Sequence, residues 1–221
     1  MFAVADKVVT TPQPRAAFIG LASAAIQALQ NNQKAEATRR GWPTARDEIV
    51  PLTATDLNAQ VSAIAAAKPD VVFANLADAT SILLIRGLRA AGISAPVIGS
   101  DSSTTVASET TKDEHYYVVE ALSPGGTPGG GYQKFLDAGA AAGIDPSKPF
   151  VSRGYQQGMI IAAALKACNA CSGQKLIDAL DQLHLDTDGL TAGPVTFTRT
   201  DHVGVKTMYA FRYDPASRNF W

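Results

Sequence analysis

Val71, Val72, Phe73 and Ala74 follow one another without a polar interruption, and Val97 and Ile98 do the same further on. Between them Leu84, Ile85, Leu88 and Ala91 recur at helical spacing. Uninterrupted apolar strands are those buried on both faces, and their alternation with amphipathic helices marks a parallel sheet covered on both sides. The segment 69–101, PDVVFANLADATSILLIRGLRAAGISAPVIGSD, therefore reads as strand, helix, strand, the second strand closing on Gly99, Ser100 and Asp101.

The same rhythm extends upstream. A helix is expected at 2–10, a strand at 16–21, a helix at about 24–40 stopped by Gly41, and a short strand at 48–50. Thr55 or Asp56 would cap a helix burying Leu57, Val61 and Ile64 until Pro69 ends it. A further short helix is expected at 103–110. Together these form a doubly wound α/β layer. Past residue 116 the pattern changes: a strand at 116–122, a glycine loop SPGGTPGGG at 123–131, and helices at about 130–142, 153–167 and 172–183. Strands at 194–198 and 203–213 close the chain, which leaves one lobe and later returns to it. The glycine loop reads as a plain linker, with an anion cradle as the alternative.

The 221 residues suffice for one large domain or two lobes. With 46% hydrophobic and 18% charged residues and a net charge of −1, nothing marks a surface for nucleic acid or an anionic membrane. Arg39 and Arg40 fall where a helix end attracts cations. The longest apolar run, Met159 to Leu165, is too short to span a bilayer. No signal peptide is visible; Met1 leads straight into an amphipathic helix.

Ligands of open α/β sheets bind outside the carboxyl ends of the strands. Asn75, Ala77 and Asp78 follow one strand, and Ser100, Asp101 and Ser102 the next. One carboxylate among small hydroxyls suits a ligand ammonium group. Asp101 is the residue singled out, with an N-cap of the 103–110 helix as its alternative role. Cys168 and Cys171, in CNAC, lie at a helix C-terminus, where no dipole activates a thiol; a local disulfide comes first, then two free thiols, and last a redox or metal role. His115, His184 and His202 lack metal-ligand spacing, and His202 in TDHVG reads as a turn residue. No nucleophile elbow, phosphate loop or dinucleotide fingerprint occurs, so no cofactor, metal or enzyme activity is expected.

The run TATDLNAQVSAIAAAKPDVVFANLADATSILLIRGLRAAGISAPVIGSD resembles the leucine/isoleucine/valine-type receptors of the type I periplasmic binding proteins. The matching features are a Thr-Asp-apolar helix start, Lys-Pro-Asp-Val-Val, a small-residue strand end, Arg-x-x-Gly and a strand closing on Gly-x-acid. GYQQGMIIAAALKACNACSGQKLIDAL and GLTAGPVTFTRTDHVG are similar to the same family's C-terminal half. The resemblance implies two βα lobes that close over a ligand. Residues 1–118 with 203–221 would form the second lobe, and 122–198 the helical part of an incomplete first lobe, with crossovers near 119–123 and 193–199. The chain then reads as a fragment of a longer receptor, and Phe2, Val4 and the helix at 153–167 should expose apolar surface.

The resemblance places Asp101 where such receptors grip the ligand ammonium. It places Ala77 where a tyrosine is common, Ser23 within an Ala22–Ala25 loop that replaces an aromatic-containing one, and Phe150 where the ligand side chain can be touched. It implies an extracytoplasmic receptor that captures a small amino acid, amide or carboxylate between its lobes and delivers it to a membrane ABC permease. The alternative is a cytosolic amide or amino-acid sensor on the same fold.

Overall fold

A computed structural model describes residues 1–100, 110–125, 127–146, 148, 150–168, 171–214 and 219–220. The chain divides into two compact units, residues 1–119 with 210–221, and residues 120–209. The second unit ends at Tyr209 and the first resumes at Ala210.

The first unit is a mainly parallel α/β layer. Its elements are α1 (Phe2–Val8), β1 (Ala16–Leu21), α2 (Ala24–Arg39), β2 (Thr44–Val50), α3 (Asn58–Ala67), β3 (Val71–Asn75), α4 (Asp78–Ala90), β4 (Val97–Gly99) and β5 (Tyr116–Glu120). The second unit supplies α5 (Gly131–Ala141), α6 (Val151–Cys168), α7 (Gly173–Leu180), β6 (His184–Leu185) and β7 (Val195–Thr196). The chain then adds β8 (Tyr209–Asp214) and β9 (Asn219–Phe220) to the first sheet. The sheet order is β2-β1-β3-β4-β5-β8-β9, and β2, β1, β3, β4 and β5 pair in parallel.

Strand alternation explains the continuous apolar runs. Ala16, Phe18, Val71, Phe73 and Ile98 face a core shared with Val4, Ala5, Ala37 and Trp42. The intervening Ala17, Ile19, Val72, Ala74 and Val97 are equally inaccessible, so the opposite face is covered too. Val61, Ile64, Leu84, Ile85 and Leu88 supply the buried stripes of α3 and α4. Gly87 lets these helices meet: a Cβ there would lie 2.7 Å from a Val61 methyl. Gly41, at φ +71°, ends α2 in the left-handed conformation that glycine adopts without strain.

Several expectations change. Phe2 and Val4 are packed rather than uncovered: the Phe2 ring lies 4.6 Å from Phe73 and 5.4 Å from Trp42, and Val4 joins the core. The helix at Asn58 is not capped by Thr55 or Asp56. Leu57 is its N-cap, and Asp56 only accepts a bond from the Asn58 amide at 3.2 Å. Strand β2 begins earlier than residue 48, at Thr44, because its exposed edge tolerates Arg46, Asp47 and Glu48. The final strand starts at Tyr209 rather than 203. The expected helix at 103–110 lies almost wholly outside the described residues.

The glycine loop is not a plain linker. Ser123 N donates to Leu190 O (2.8 Å) and Gly131 N to Asp188 O (2.8 Å), so 123–131 packs onto 187–191. A Cβ on Gly129 or Gly131 would collide with the carbonyl oxygens of Asp188 and Thr187. The crossing is laced by Thr187–Thr191 at 2.6 Å and by Tyr209, whose hydroxyl donates to Gly189 O and Thr191 O. Lys134 pairs with Asp188 at 2.9 Å; that bond, joined by one from the Gly130 amide, holds the Asp188 carboxyl below its ordinary pKa.

The helices of the second unit lack a sheet of their own beyond β6–β7, among the described residues. Ala164 is the one buried residue of α6, α7 buries none, and Ile161, Leu165 and Ile177 are 45%, 49% and 52% exposed.

Candidate functional site

In the order β2-β1-β3-β4-β5 the chain winds one way from β1 and the other way through β3. The switch point therefore lies between β1 and β3, where crossovers leave a crevice at the strand carboxyl ends. Gly20 pairs with Asn75 and Ala74 with Gly99. The turns after β1, β3 and β4 consequently share one edge of the sheet.

Ser23, after β1, is the N-cap of α2, its hydroxyl accepting from the Ile26 amide at 3.3 Å. Ala22 N is held by Val50 O at 2.7 Å, which fixes this turn against β2. After β3, Ala77 is the N-cap of α4, exposed and without a side-chain cap. Asp78 sits half-buried in the first turn of that helix, where an acid is favoured by the positive end of the helix dipole. Thr80 Oγ1 and the Ser81 amide both donate back to Ala77 O, at 2.9 and 2.8 Å, closing the turn. Ser100, half-buried, continues the ladder with its amide 3.3 Å from Ala74 O.

Ser23, Ala77, Asp78 and Ser100 thus come together on one edge. Asn75 does not present its amide there. It is wholly inaccessible, donating to Gln33 Oε1 at 2.8 Å and accepting from Gln33 Nε2 at 3.3 Å. As the last residue of β3 it points, like Phe73 and Val71, to the face under α2, which corrects its reading as a ligand contact. Asp101 and Ser102 lie outside the described residues.

Phe150 belongs to the second unit. It is 72% exposed, takes φ +66°, and carries the Arg153 guanidinium 5.9 Å from its ring centre. Arg153 Nη2 lies 3.4 Å from Glu120 Oε1. In the same unit Cys168 and Cys171 are bonded to each other, their Cα atoms 5.5 Å apart. His202 does not make the 201–204 turn. Asp201 Oδ1 accepts from Val203 N at 3.0 Å, while His202 Nε2 lies 3.3 Å from Asp181 Oδ1. Among the described residues no three ligating side chains converge on a metal position, and no helix is long and apolar enough to cross a membrane.

The residues that sequence reasoning missed are Gln30 and Gln33. Both are buried on α2, and Gln30, Gln33 and Ala37 recur at helical spacing where an apolar stripe would ordinarily lie.

The periplasmic binding protein family model matches residues 1–218. No curated protein matches significantly in sequence. Among solved structures, a fatty acid ABC transporter substrate-binding protein from Thermomonospora curvata superposes with a TM-score of 0.83 at 21% identity, over 97% of this chain and 57% of its own. An ABC transporter substrate-binding protein from Aeropyrum pernix gives 0.81 at 18% identity, over 99% and 60%. A putative branched-chain amino acid ABC transporter protein from Rhodospirillum rubrum gives 0.66 at 20% identity, over 100% and 58%. The chain spans less than two thirds of the length of these structures, and at such identities they speak to fold. Family model, sheet order and fold agree: the chain belongs to the periplasmic binding protein family, whose fold is that of solute-binding receptors.

Proposed function

We propose that this chain is the greater part of an extracytoplasmic solute receptor that takes a small amino acid, amide or carboxylate at the carboxyl edge of β1, β3 and β4 and delivers it to an ABC import permease. The observation carrying this reading is the β1/β3 switch point with Ser23, Ala77, Asp78 and Ser100 around it. Its binding residues are Ser23, Ala77, Asp78, Ser100, Asp101 and Ser102. Asp101 takes the ammonium or amide donor of the solute. The disulfide between Cys168 and Cys171 favours an oxidising compartment over a cytosolic sensor.

The two relatives named for their ligands point to fatty acids and branched-chain amino acids, both of which join a carboxylate to an apolar body. Ala22, Ala24, Ala25 and Ala77 put small side chains at these turns, which suits a solute with a bulky apolar group. Thermal-shift measurements with L-leucine, phenylacetamide and decanoate test the reading. A bound solute at a hundredfold excess over Kd stabilises by about 2.7 kcal/mol. A melting temperature unmoved by amino acids, amides and fatty acids alike would count against the proposed ligand classes.

A further inference from the structure

Helix α2 meets the sheet through amides. Its buried residues are Gln30, Gln33 and Ala37, with no large aliphatic side chain among them. Gln33 and Asn75 exchange two hydrogen bonds, 2.8 and 3.3 Å long, and Gln33 Nε2 also lies 2.9 Å from Met1 Sδ. Gln30 reaches across to β2, donating to the Asp47 carboxylate and to Glu48 O. Gly20, opposite Asn75, makes the close approach possible, because a Cβ there would collide with Gln30 Oε1.

Apolar contacts allow a helix to slide or roll at small cost, whereas hydrogen bonds weaken steeply with angle and distance. A reciprocal amide pair is satisfied at one rotation and one axial position, and in a dry interior a mispaired amide is costly. Ser23 caps the helix that carries Gln33, and Ala77 and Asp78 follow Asn75 with Leu76 alone between them.

We propose that the Gln33–Asn75 pair is a positioning device for the solute site. It fixes the register of α2 on β3, so that the Ser23 turn and the Ala77–Asp78 turn keep one spacing across the switch point. The proposal rests on the reading that these turns hold the solute, but its test needs no solute. The double variant Gln33→Leu/Asn75→Leu replaces both partners with apolar groups, an exchange close to neutral or stabilising for the fold. Its melting temperature should equal or exceed the parent's. Hydrogen–deuterium exchange resolved by peptide should nevertheless accelerate by about tenfold or more in 21–27 and 76–81, as local opening separates from global stability, while 16–19 and 97–99 keep the parent's protection.

Unchanged exchange in both turns of the folded variant overturns the proposal. So does acceleration spread evenly over the sheet, which marks a pair that only stabilises. The swapped variant Gln33→Asn/Asn75→Gln restores both amides and should retain protection in both turns. If the double-leucine variant does not fold, the swapped variant decides, and loss of protection in either turn over an intact sheet overturns the proposal. Failure of the solute reading shows separately, as a melting temperature that no solute moves.

Discussion

Arg89 grips Asp113 with two nitrogens: Nε donates to Oδ2 at 2.6 Å and Nη2 to Oδ1 at 3.0 Å. Its remaining nitrogen, Nη1, donates to Ile93 O at 2.7 Å and Ala95 O at 3.1 Å. This arginine opens the Arg-x-x-Gly pattern, and the geometry gives that pattern a physical reason: one guanidinium binds the end of α4, the loop into β4 and the approach to β5. The side chains are 24% and 10% exposed. Removing one partner of a largely buried pair strands the other, so Arg89→Ala should cost about 3 kcal/mol in urea unfolding. Arg89→Lys should recover little of it, because an ammonium cannot reproduce the fork. A loss within 0.5 kcal/mol, about what an ordinary surface substitution gives, would mean the grip contributes nothing.

Gly131→Ala should unsettle the second unit. Gly131 is buried, and an added Cβ meets the carbonyl oxygen of Thr187 and the backbone of Leu190. Backbone cannot step aside as a side-chain tip can, so overpacking should cost about 1–3 kcal/mol or more. Calorimetry should show the transition of residues 120–209 moving down in temperature. An unshifted trace would restore the reading of 123–131 as a simple linker.

Glu36 links Arg39 and Arg40, and Arg40 in turn pairs with Asp6 while lying over the rings of Phe2 and Trp42 at 5.0 and 5.5 Å. Hydrogen bonds from Arg39 first, then Arg40, lower the Glu36 carboxyl from 4.5 to about 2. A folded-state pKa below the unfolded one contributes stability above the unfolded value, and that contribution disappears as pH falls through the folded value. The Glu36 contribution should therefore be complete above pH 4.5 and vanish towards pH 2. Comparing wild type with Glu36→Gln by Trp42 fluorescence during urea unfolding, the wild-type advantage should shrink across that window. Because the group still reaches solvent, added salt should shrink it too. Parallel stability curves for the two proteins would refute the assignment.

Asp101→Ala should weaken an ammonium-bearing solute far more than it weakens folding. Loss of one partner of a desolvated charge pair costs about 2–5 kcal/mol of binding, whereas loss of a helix cap costs about 1 kcal/mol of stability. Calorimetric titration and melting curves on one preparation separate the two roles. Retained affinity with a lowered melting temperature would remove Asp101 from the site.

Burial made the sheet legible in the sequence. Strands covered on both faces must exclude polar side chains, so β1, β3 and β4 announce themselves as unbroken apolar runs, and the stripes of α3 and α4 follow from helical periodicity. The carboxyl-edge turns were legible for the same reason, since they are where those runs stop. What the sequence could not settle depends on partners remote in the chain. Whether Asn75 faces solute or core turned on Gln33, which only the packing of α2 brings beside it. Phe2 and Val4 found cover on Phe73 and Trp42, and the 123–131 glycines are required by the carbonyls of Thr187 and Asp188. Local pattern records how a residue relates to its own strand or helix; which distant group it meets is decided when the elements pack, and there tertiary structure alone assigned the amides of α2 their place beneath the site.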